Sequence, residues 1–263
     1  AYVQLVQGGD DLSMARGSSI ASLSPLASDQ WGMLTAAQAR RLGVSRVDLN
    51  RLVKDGTLER IAGAARVYRL TGVPEDPDQD PVRAAWLQLG KGLLWQERVR
   101  DVDAVVSHRS AAHVRHLGDL IPRVYEFYVL TRVRLRRSDL RLLVQPRIAR
   151  RDWSLSGGLP VCTIEKIVAD LLADHEDESA IAQIVRDGIR DGLLGRDELE
   201  RAAGRHGIDY GYGSAAEFAA VLAGRHSWSP TKPCGDAATQ GRWPTFPAPR
   251  QPSTKQSRWP LHF

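Results

Sequence analysis

The chain has 263 residues, a formal net charge of +5 and a pI of about 9.5. Hydrophobic residues make up 43% and charged residues 25%, which is typical of a soluble globular protein and excludes a chain without a core. The length allows one large core or two smaller ones, and no apolar run approaches the roughly 18 residues of a membrane span. The basic balance favours an anionic partner.

The chain opens with a polar stretch that precedes two short helical patterns. Residues 1–27 are rich in Gly and Ser, which predicts a flexible arm. Thr35 with Gln38 three positions later has the spacing of a capping box at a helix start. Gly43 suits the left-handed turn that ends this helix, and Ser45 is a typical N-cap for the next one.

The second helical pattern separates a buried face from an exposed one. Leu49, Leu52 and Val53 share one side at i, i+3, i+4 spacing. The segments "TLERI" and "ARVYRL" then alternate around Gly63, which indicates a β-hairpin. Helix, tight turn, capped helix and hairpin is the order of a winged helix-turn-helix, which we predict over 28–71. The alternative is a pair of amphipathic helices packed in a larger core.

Two observations favour DNA as the partner of this unit. Residues 28–72 carry 8 basic and 4 acidic residues. Arg pairs with guanine and Asn with adenine in the major groove, while Lys suits phosphate, and a hairpin Arg can contact the backbone or minor groove. A single unit binds modestly, so we expect a dimer or two copies on a repeated site. The predicted DNA-binding residues here are Gln38, Ser45, Arg46, Val47, Asn50, Arg51, Lys54, Arg60 and Arg66.

Downstream, the pattern predicts a linker, a mixed α/β region and a tail. The stretch 72–81 is rich in Pro and acids and is predicted to be the linker. Residues 82–225 alternate helical and strand patterns and become helical from Thr163. The predicted strands are Ala104–Val106, Tyr125–Leu130 and Leu140–Gln145, with a helix after Ser107 or His108. The Pro-rich residues 226–263 are predicted to be disordered.

The two halves of this region have opposite charge. Leu130 to Arg151 contains eight Arg and one acid, and "TRVRLRR" predicts an extended strand or hairpin arm. Arg132, Arg134 and Arg136 would share one face of that arm, followed by Arg137. These arginines form either a second phosphate-contacting surface or a charge-protected sheet edge. Residues 160–205 hold 11 acids and 6 basic residues, a solvated helix face or a surface for a basic protein.

Short blocks in this order resemble the AbiEi family of antitoxins of type IV, or abortive-infection, toxin–antitoxin systems. The blocks are Ser107-His108 with Ser110-Ala111, then Gly158-Leu159-Pro160-Val161, then Thr163 followed by Asp170-Leu171-Leu172. The resemblance covers about residues 28–205. This chain has Ile164 and Lys166 where the family usually shows a Pro and an Arg.

The resemblance implies a bacterial antitoxin that also represses its own operon. Its fold would be α+β, an N-terminal winged helix-turn-helix followed by a mixed α/β antitoxin domain over 82–225 that ends in a helical segment. Such antitoxins bind inverted repeats in their promoter and counteract a nucleotidyltransferase-type toxin encoded nearby. A basic face spanning both domains contributes to DNA binding, and Arg132–Arg137 is the candidate here. We expect a monomer in solution or a dimer on DNA.

An enzymatic function finds little support in the sequence. Gly17-Ser18 followed by Asp29 loosely mimics a nucleotidyltransferase, but the second carboxylate position is Trp31. His108, His113 and His116 do not share one helical face for a metal. Cys162 and Cys234 form no CxxC motif, and a reducing cytoplasm is expected. We therefore predict no enzyme activity, no cofactor, no metal and no membrane partner; a winged-helix-targeted nuclease-like enzyme is the alternative.

Overall fold

The computed structural model describes residues 19–135, 137–204 and 206–224. Arg136, Cys234 and the predicted Pro-rich tail over 226–263 lie outside these residues. The described part of the chain combines helices with two β-sheets, so the predicted α+β class is confirmed. No helix within it is both long and apolar enough to cross a membrane.

A small three-stranded sheet and three helices form the N-terminal part. Helix α1 covers residues 19–28 in the described chain. The next elements are β1 (Met33–Thr35), α2 (Ala36–Arg41), α3 (Arg46–Lys54), β2 (Leu58–Arg60) and β3 (Val67–Leu70). The strands are antiparallel in the order β1-β3-β2, so β2 and β3 form the predicted hairpin.

The helix ends in this part follow the local signals in the sequence. Gln38 N–H donates to Thr35 Oγ1 at 3.2 Å and Thr35 N–H donates to Gln38 Oε1 at 2.8 Å, which completes the predicted capping box of α2. Gly43 has a φ of +81°, the left-handed conformation that its position requires. Ser45 caps α3 in a second box with Asp48. Leu49 and Leu52 are buried, as their spacing predicts.

The prediction of a flexible arm over 1–27 is wrong for residues 19–27. These residues belong to α1, and its Leu23, Leu26 and Ala27 are buried in the same core cluster as Leu49 and Leu52. The Ser-rich composition concealed the helical spacing of the apolar residues. Burial of this apolar face in the small core offsets the modest helix propensity of Ser. Residues 1–18 lie outside the described chain.

A five-stranded mixed sheet with helices forms the larger part. Its elements are α4 (Asp80–Leu89), α5 (Trp95–Arg100), β4 (Ala104–Val106), α6 (His108–Val114), β5 (Tyr125–Val129), β6 (Leu140–Val144), β7 (Trp153–Ser156), β8 (Leu159–Cys162), α7 (Ile164–Ala173), α8 (Glu178–Arg190), α9 (Arg196–Ala203) and α10 (Ala215–Leu222). The strand order is β6-β5-β4-β8-β7. All three predicted strands are present, two of them one residue shorter.

The prediction of an Arg-rich hairpin arm is wrong. Strands β5 and β6 are parallel neighbours, with Tyr125 opposite Leu140 and Val129 opposite Val144. A hairpin joins antiparallel strands, whereas parallel neighbours need a connection that returns to the starting edge of the sheet. Residues 130–139 make that return; we call them the Arg-rich crossover. Its described residues contain no strand.

The segment 72–81 is held by contacts that a free linker lacks. Two of its acids, Glu75 and Asp80, pair with Arg69, which is 7% exposed and also pairs with Glu59 of β2. Asp80 also starts α4, two residues before the predicted boundary, and pairs with Arg83. The acidic composition predicted a solvated linker, but its charge neutralises a buried guanidinium.

The large core contains a buried cation. Trp86 and Arg98 are both fully buried, and the guanidinium lies 3.5 Å from the centre of the Trp86 ring. Arg98 pairs with Asp103 at 2.7 Å, and Trp86 Nε1 donates to Ala104 O at 3.0 Å. Burial lowers the pKa of Arg98, and the Asp103 carboxylate opposes this effect. Gly90 is required here, because a Cβ at this position would lie 2.7 Å from the Arg98 side chain.

Candidate nucleic-acid interface

Helix α3 presents a polar face to solvent. Arg46, Val47, Asn50 and Lys54 are exposed, and Val47 is exposed to 66%. The opposite side of the helix packs into the small core. The structure therefore brings four of the predicted DNA-binding residues together on one exposed helix surface.

The β2–β3 hairpin extends this surface. Arg60 Nη2 donates to Asn50 Oδ1 at 2.9 Å, and its guanidinium lies 5.6 Å from the Tyr68 ring centre. Arg66 is exposed at a φ of +65° in the turn, and its carbonyl accepts from Ala36 N–H at 2.9 Å. Thus Arg60 contacts α3 directly, while Arg66 lies on a turn anchored to the start of α2.

Two predicted residues, the N-cap Ser45 and Arg51 in the last turn of α3, both contact Asp48. Ser45 Oγ donates to Asp48 Oδ2 at 2.6 Å, and Arg51 Nη1 lies 3.6 Å from Asp48 Oδ1. The hydrogen bond from Ser45 is the main reason that the pKa of Asp48 is lowered. Ser45 is exposed and Arg51 is half-buried, so their first role is to stabilise this helix.

Gln38 does not lie on the exposed surface, which corrects its prediction as a DNA contact. Its side chain is 1% exposed. Nε2 donates to Gln30 Oε1 at 2.7 Å and to Leu93 O at 2.8 Å, and Oε1 accepts from Thr35 N–H. A buried amide with all these partners is satisfied internally. Its place in the capping box was the sequence signal for this structural role.

The Arg-rich crossover lies beside the hairpin turn. Gln88 on α4 donates to Ala65 O at 2.8 Å and accepts from Arg137 Nη1 at 2.6 Å. Arg137 also pairs with Asp139, so its guanidinium holds the crossover in place rather than extending to a partner. Arg132 and Arg134 are exposed, and Val133 between them packs on the large core. Arg136 lies outside the described residues.

The structure contains a second polar cluster that the sequence did not predict. A pocket of about 440 Å³ is lined by Arg109, Arg123, Val124, Glu126, Arg141, Asp174 and Glu176. Glu126 is buried and pairs with Arg141 at 3.0 Å, and Arg141 also pairs with Asp174. The Arg141 hydrogen bond is the main reason that the pKa of Asp174 is lowered. These residues come from different elements, so sequence spacing gave no signal.

Three acids in and just after α7 each have a basic partner. Glu165 pairs with Arg201 at 3.0 Å, Asp170 with Lys166, and Asp174 with Arg141. Asp170 also accepts a hydrogen bond of 2.7 Å from the Tyr128 hydroxyl. Within the described ranges, no three His, Cys, Asp or Glu side chains are grouped so that they could hold a metal ion.

Comparisons with known proteins identify the N-terminal part. Residues 22–62 match the family model described as "Transcriptional regulator, AbiEi antitoxin". This match shows that the segment from α1 to β2 is similar to a family of transcriptional regulators. It also confirms the predicted resemblance: the regulators in question are AbiEi antitoxins.

A solved structure of low sequence identity aligns with most of this chain. The crystal structure of RV2827C protein from Mycobacterium tuberculosis is 17% identical, with a TM-score of 0.45, and the alignment covers 80% of this chain and 83% of that chain. The comparison with curated proteins finds no match.

Proposed function

We propose that this protein is an antitoxin and a DNA-binding autorepressor of a toxin–antitoxin operon. Residues 28–71, together with α1, act as a winged helix-turn-helix in which α3 is the recognition helix and the β2–β3 hairpin is the wing. The observation that carries this proposal is the exposed polar face of α3, joined to the hairpin by the Arg60–Asn50 hydrogen bond. The antitoxin family model matches the same segment.

The residues on this face have the chemistry that DNA requires. Arg46 and Asn50 are suited to base edges in the major groove, and Lys54 to phosphate. Arg60 and Arg66 on the wing are placed for the sugar–phosphate backbone or the minor groove. Arg132 and Arg134 extend the basic surface, since Gln88 ties their crossover to the wing.

The proposal for the operator and the partners is supported by this arrangement and by the resemblance to the antitoxin family. One winged helix reads a short half-site, so we propose an inverted repeat in the promoter bound by two copies that are monomers in solution. The C-terminal part counteracts a nucleotidyltransferase-type toxin encoded by the adjacent gene. The protein acts in the bacterial cytoplasm, without enzyme activity of its own.

The DNA-binding part of the proposal is tested with the upstream DNA of the gene. Each good bidentate base contact contributes about 1–3 kcal/mol of discrimination, so we expect Arg46→Ala and Asn50→Ala to weaken specific binding about 10- to 100-fold. Gel-shift titrations compare binding to the upstream DNA with binding to an unrelated duplex. Arg190→Ala, on the exposed side of α8, is the matched control.

Three outcomes would overturn the proposal. Unchanged binding in both Arg46→Ala and Asn50→Ala would remove α3 as the recognition helix. Divalent-metal-dependent cleavage of the same DNA would instead support the nuclease-like alternative. For the antitoxin role, co-expression with the product of the adjacent gene should restore growth, and continued toxicity would argue against that role.

A further inference from the structure

Two tryptophans hold the turn between β7 and β8, Trp31 from the N-terminal part and Trp95 from the start of α5 in the larger part. Trp31 Nε1 donates to Gly157 O at 2.7 Å, and Trp95 Nε1 donates to Gly158 O at 2.8 Å. Both acceptors belong to the turn between β7 and β8. We call these four residues the tryptophan clamp.

The backbone at the centre of the clamp is tightly packed and conformationally constrained. Gly158 has a φ of +83°, and a Cβ there would lie 3.1 Å from Trp31 Cζ2. Trp31 itself has a φ of +56°, which is uncommon for a residue other than glycine. The Arg83 guanidinium lies 5.4 Å from its ring, and Trp86 meets it edge-on at 6.2 Å. Such a backbone conformation persists where the surroundings over-determine it.

A separate attachment lies beside helix α2. Arg41 forms two hydrogen bonds with Glu97, of 2.7 and 2.8 Å, and a third of 3.0 Å to Gly92 O. The Arg41 hydrogen bonds lower the pKa of Glu97 to about 2. A Cβ on Gly92 would lie 2.8 Å from Ala37 Cβ, so the backbones are closely packed. Two attachments at separate places fix rotation as well as position.

We propose that Trp31 and Trp95 are positioning residues for DNA binding. Trp31 binds the winged helix to the β7–β8 turn, and Trp95 binds that turn to α5, to which Arg41 joins α2. Together these contacts hold the winged helix at one orientation on the C-terminal sheet, so that α3 and the exposed arginines Arg132 and Arg134 reach the same duplex together. This inference rests on the proposed function. Its physical basis is preorganisation, because two surfaces that are already aligned lose less freedom when they bind one ligand.

The orientation is tested first without DNA. Spin labels at Val47→Cys and Ile208→Cys, both strongly exposed positions, report the distance between the two parts. Cys162 is buried and stays in place, and Cys234→Ser completes the background. We expect one narrow distance distribution in this chain and a broader one in the double variant Trp31→Phe, Trp95→Phe. This variant keeps an aromatic side chain at each position but removes both indole N–H donors.

A glycine pair provides the matched control. Gly158→Ala introduces the Cβ against Trp31, whereas Gly211→Ala has the same φ of +83° with nothing within 4 Å of the new Cβ. We expect Gly158→Ala to broaden or shift the distances and Gly211→Ala to leave them unchanged. Equally narrow distributions in the Phe variant and in Gly158→Ala would overturn the proposal.

The second test is a coupling measurement on the promoter duplex. Arg132→Gln with Arg134→Gln should weaken binding roughly tenfold in the parent chain and less than twofold in the Trp→Phe background. An equal loss in both backgrounds overturns the positioning role while α3 still binds DNA. If the parent chain does not bind the duplex, the proposed function fails, and the distance measurement still decides whether the clamp fixes the orientation.

Discussion

The arginines of α3 and those between β5 and β7 differ in what they contact. On α3, Arg46 is exposed on a helix whose other side is buried. In the downstream stretch, Arg137 pairs with Asp139, Arg141 pairs with Glu126, and the Arg150 guanidinium lies 4.2 Å from the Trp153 ring centre. The stretch with more arginines therefore has many of them bound to the protein itself.

The difference between these two regions shows that the number of arginines in a stretch does not give the number that are free to bind a partner. An amphipathic helix reveals its exposed side through spacing, so its free charges can be identified from sequence. The downstream stretch has no such period. Asp139 within it neutralises Arg137, whereas the acids that pair with Arg141 come from other elements. Within the described residues of the Arg-rich crossover, Arg132 and Arg134 are exposed; further along the stretch, Arg147, Arg150 and Arg151 are exposed as well.

The largest expected effect tests whether Arg141 is structural. Arg141→Ala removes the guanidinium partner of Glu126, which is 4% exposed. Breaking a fully buried pair costs about 3–5 kcal/mol, and because the Arg141 side chain is 41% exposed we expect about 2 kcal/mol. Urea denaturation measures this change. Arg134→Ala, at an exposed position of the crossover, should change the free energy of unfolding by no more than about 0.5 kcal/mol. Equal losses of stability in the two variants would show that Arg141 is no more structural than Arg134.

The next effect concerns the salt dependence of DNA binding. Each phosphate contact contributes roughly 0.9 to the slope of log K against log salt, so Arg132→Gln with Arg134→Gln should lower that slope by roughly two. Specific and unrelated DNA should be affected equally, because phosphates carry no sequence information. Arg137→Gln should leave the slope unchanged, since Asp139 already neutralises this charge. A reduced slope for Arg137→Gln would contradict this assignment.

The smallest effect concerns the start of α3. Ser45→Ala removes the hydroxyl that accepts from Asp48 N–H, and losing such a cap costs about 1 kcal/mol. Thermal unfolding measures the loss, and Ser45→Thr should recover most of it because Thr keeps the hydroxyl that accepts from Asp48 N–H and donates to the Asp48 carboxylate. If both variants unfold at the same lowered temperature, the cap does not explain the role of Ser45.

The sequence predicted the N-terminal part well where the signals are local. Both helix caps, the glycine turn and the buried Leu49–Leu52 pair depend on residues within one or two turns of each other. It failed for α1, whose Ser-rich composition concealed its apolar spacing. It also placed Gln38 on the surface, although the capping-box signal already indicated an internal hydrogen-bonding role.

Among the candidate site residues, the sequence by itself determined the exposed side of α3 and the presence of the following hairpin. Helical spacing, caps and turn residues act over a few positions, so these features depend little on the rest of the chain. Only the tertiary structure decided that β5 and β6 run parallel, that Arg137 and Arg141 are bound internally, and that Trp31 reaches Gly157, 126 positions away. Contacts of this kind join residues from separate elements, and the packing of those elements selects which charges stay free.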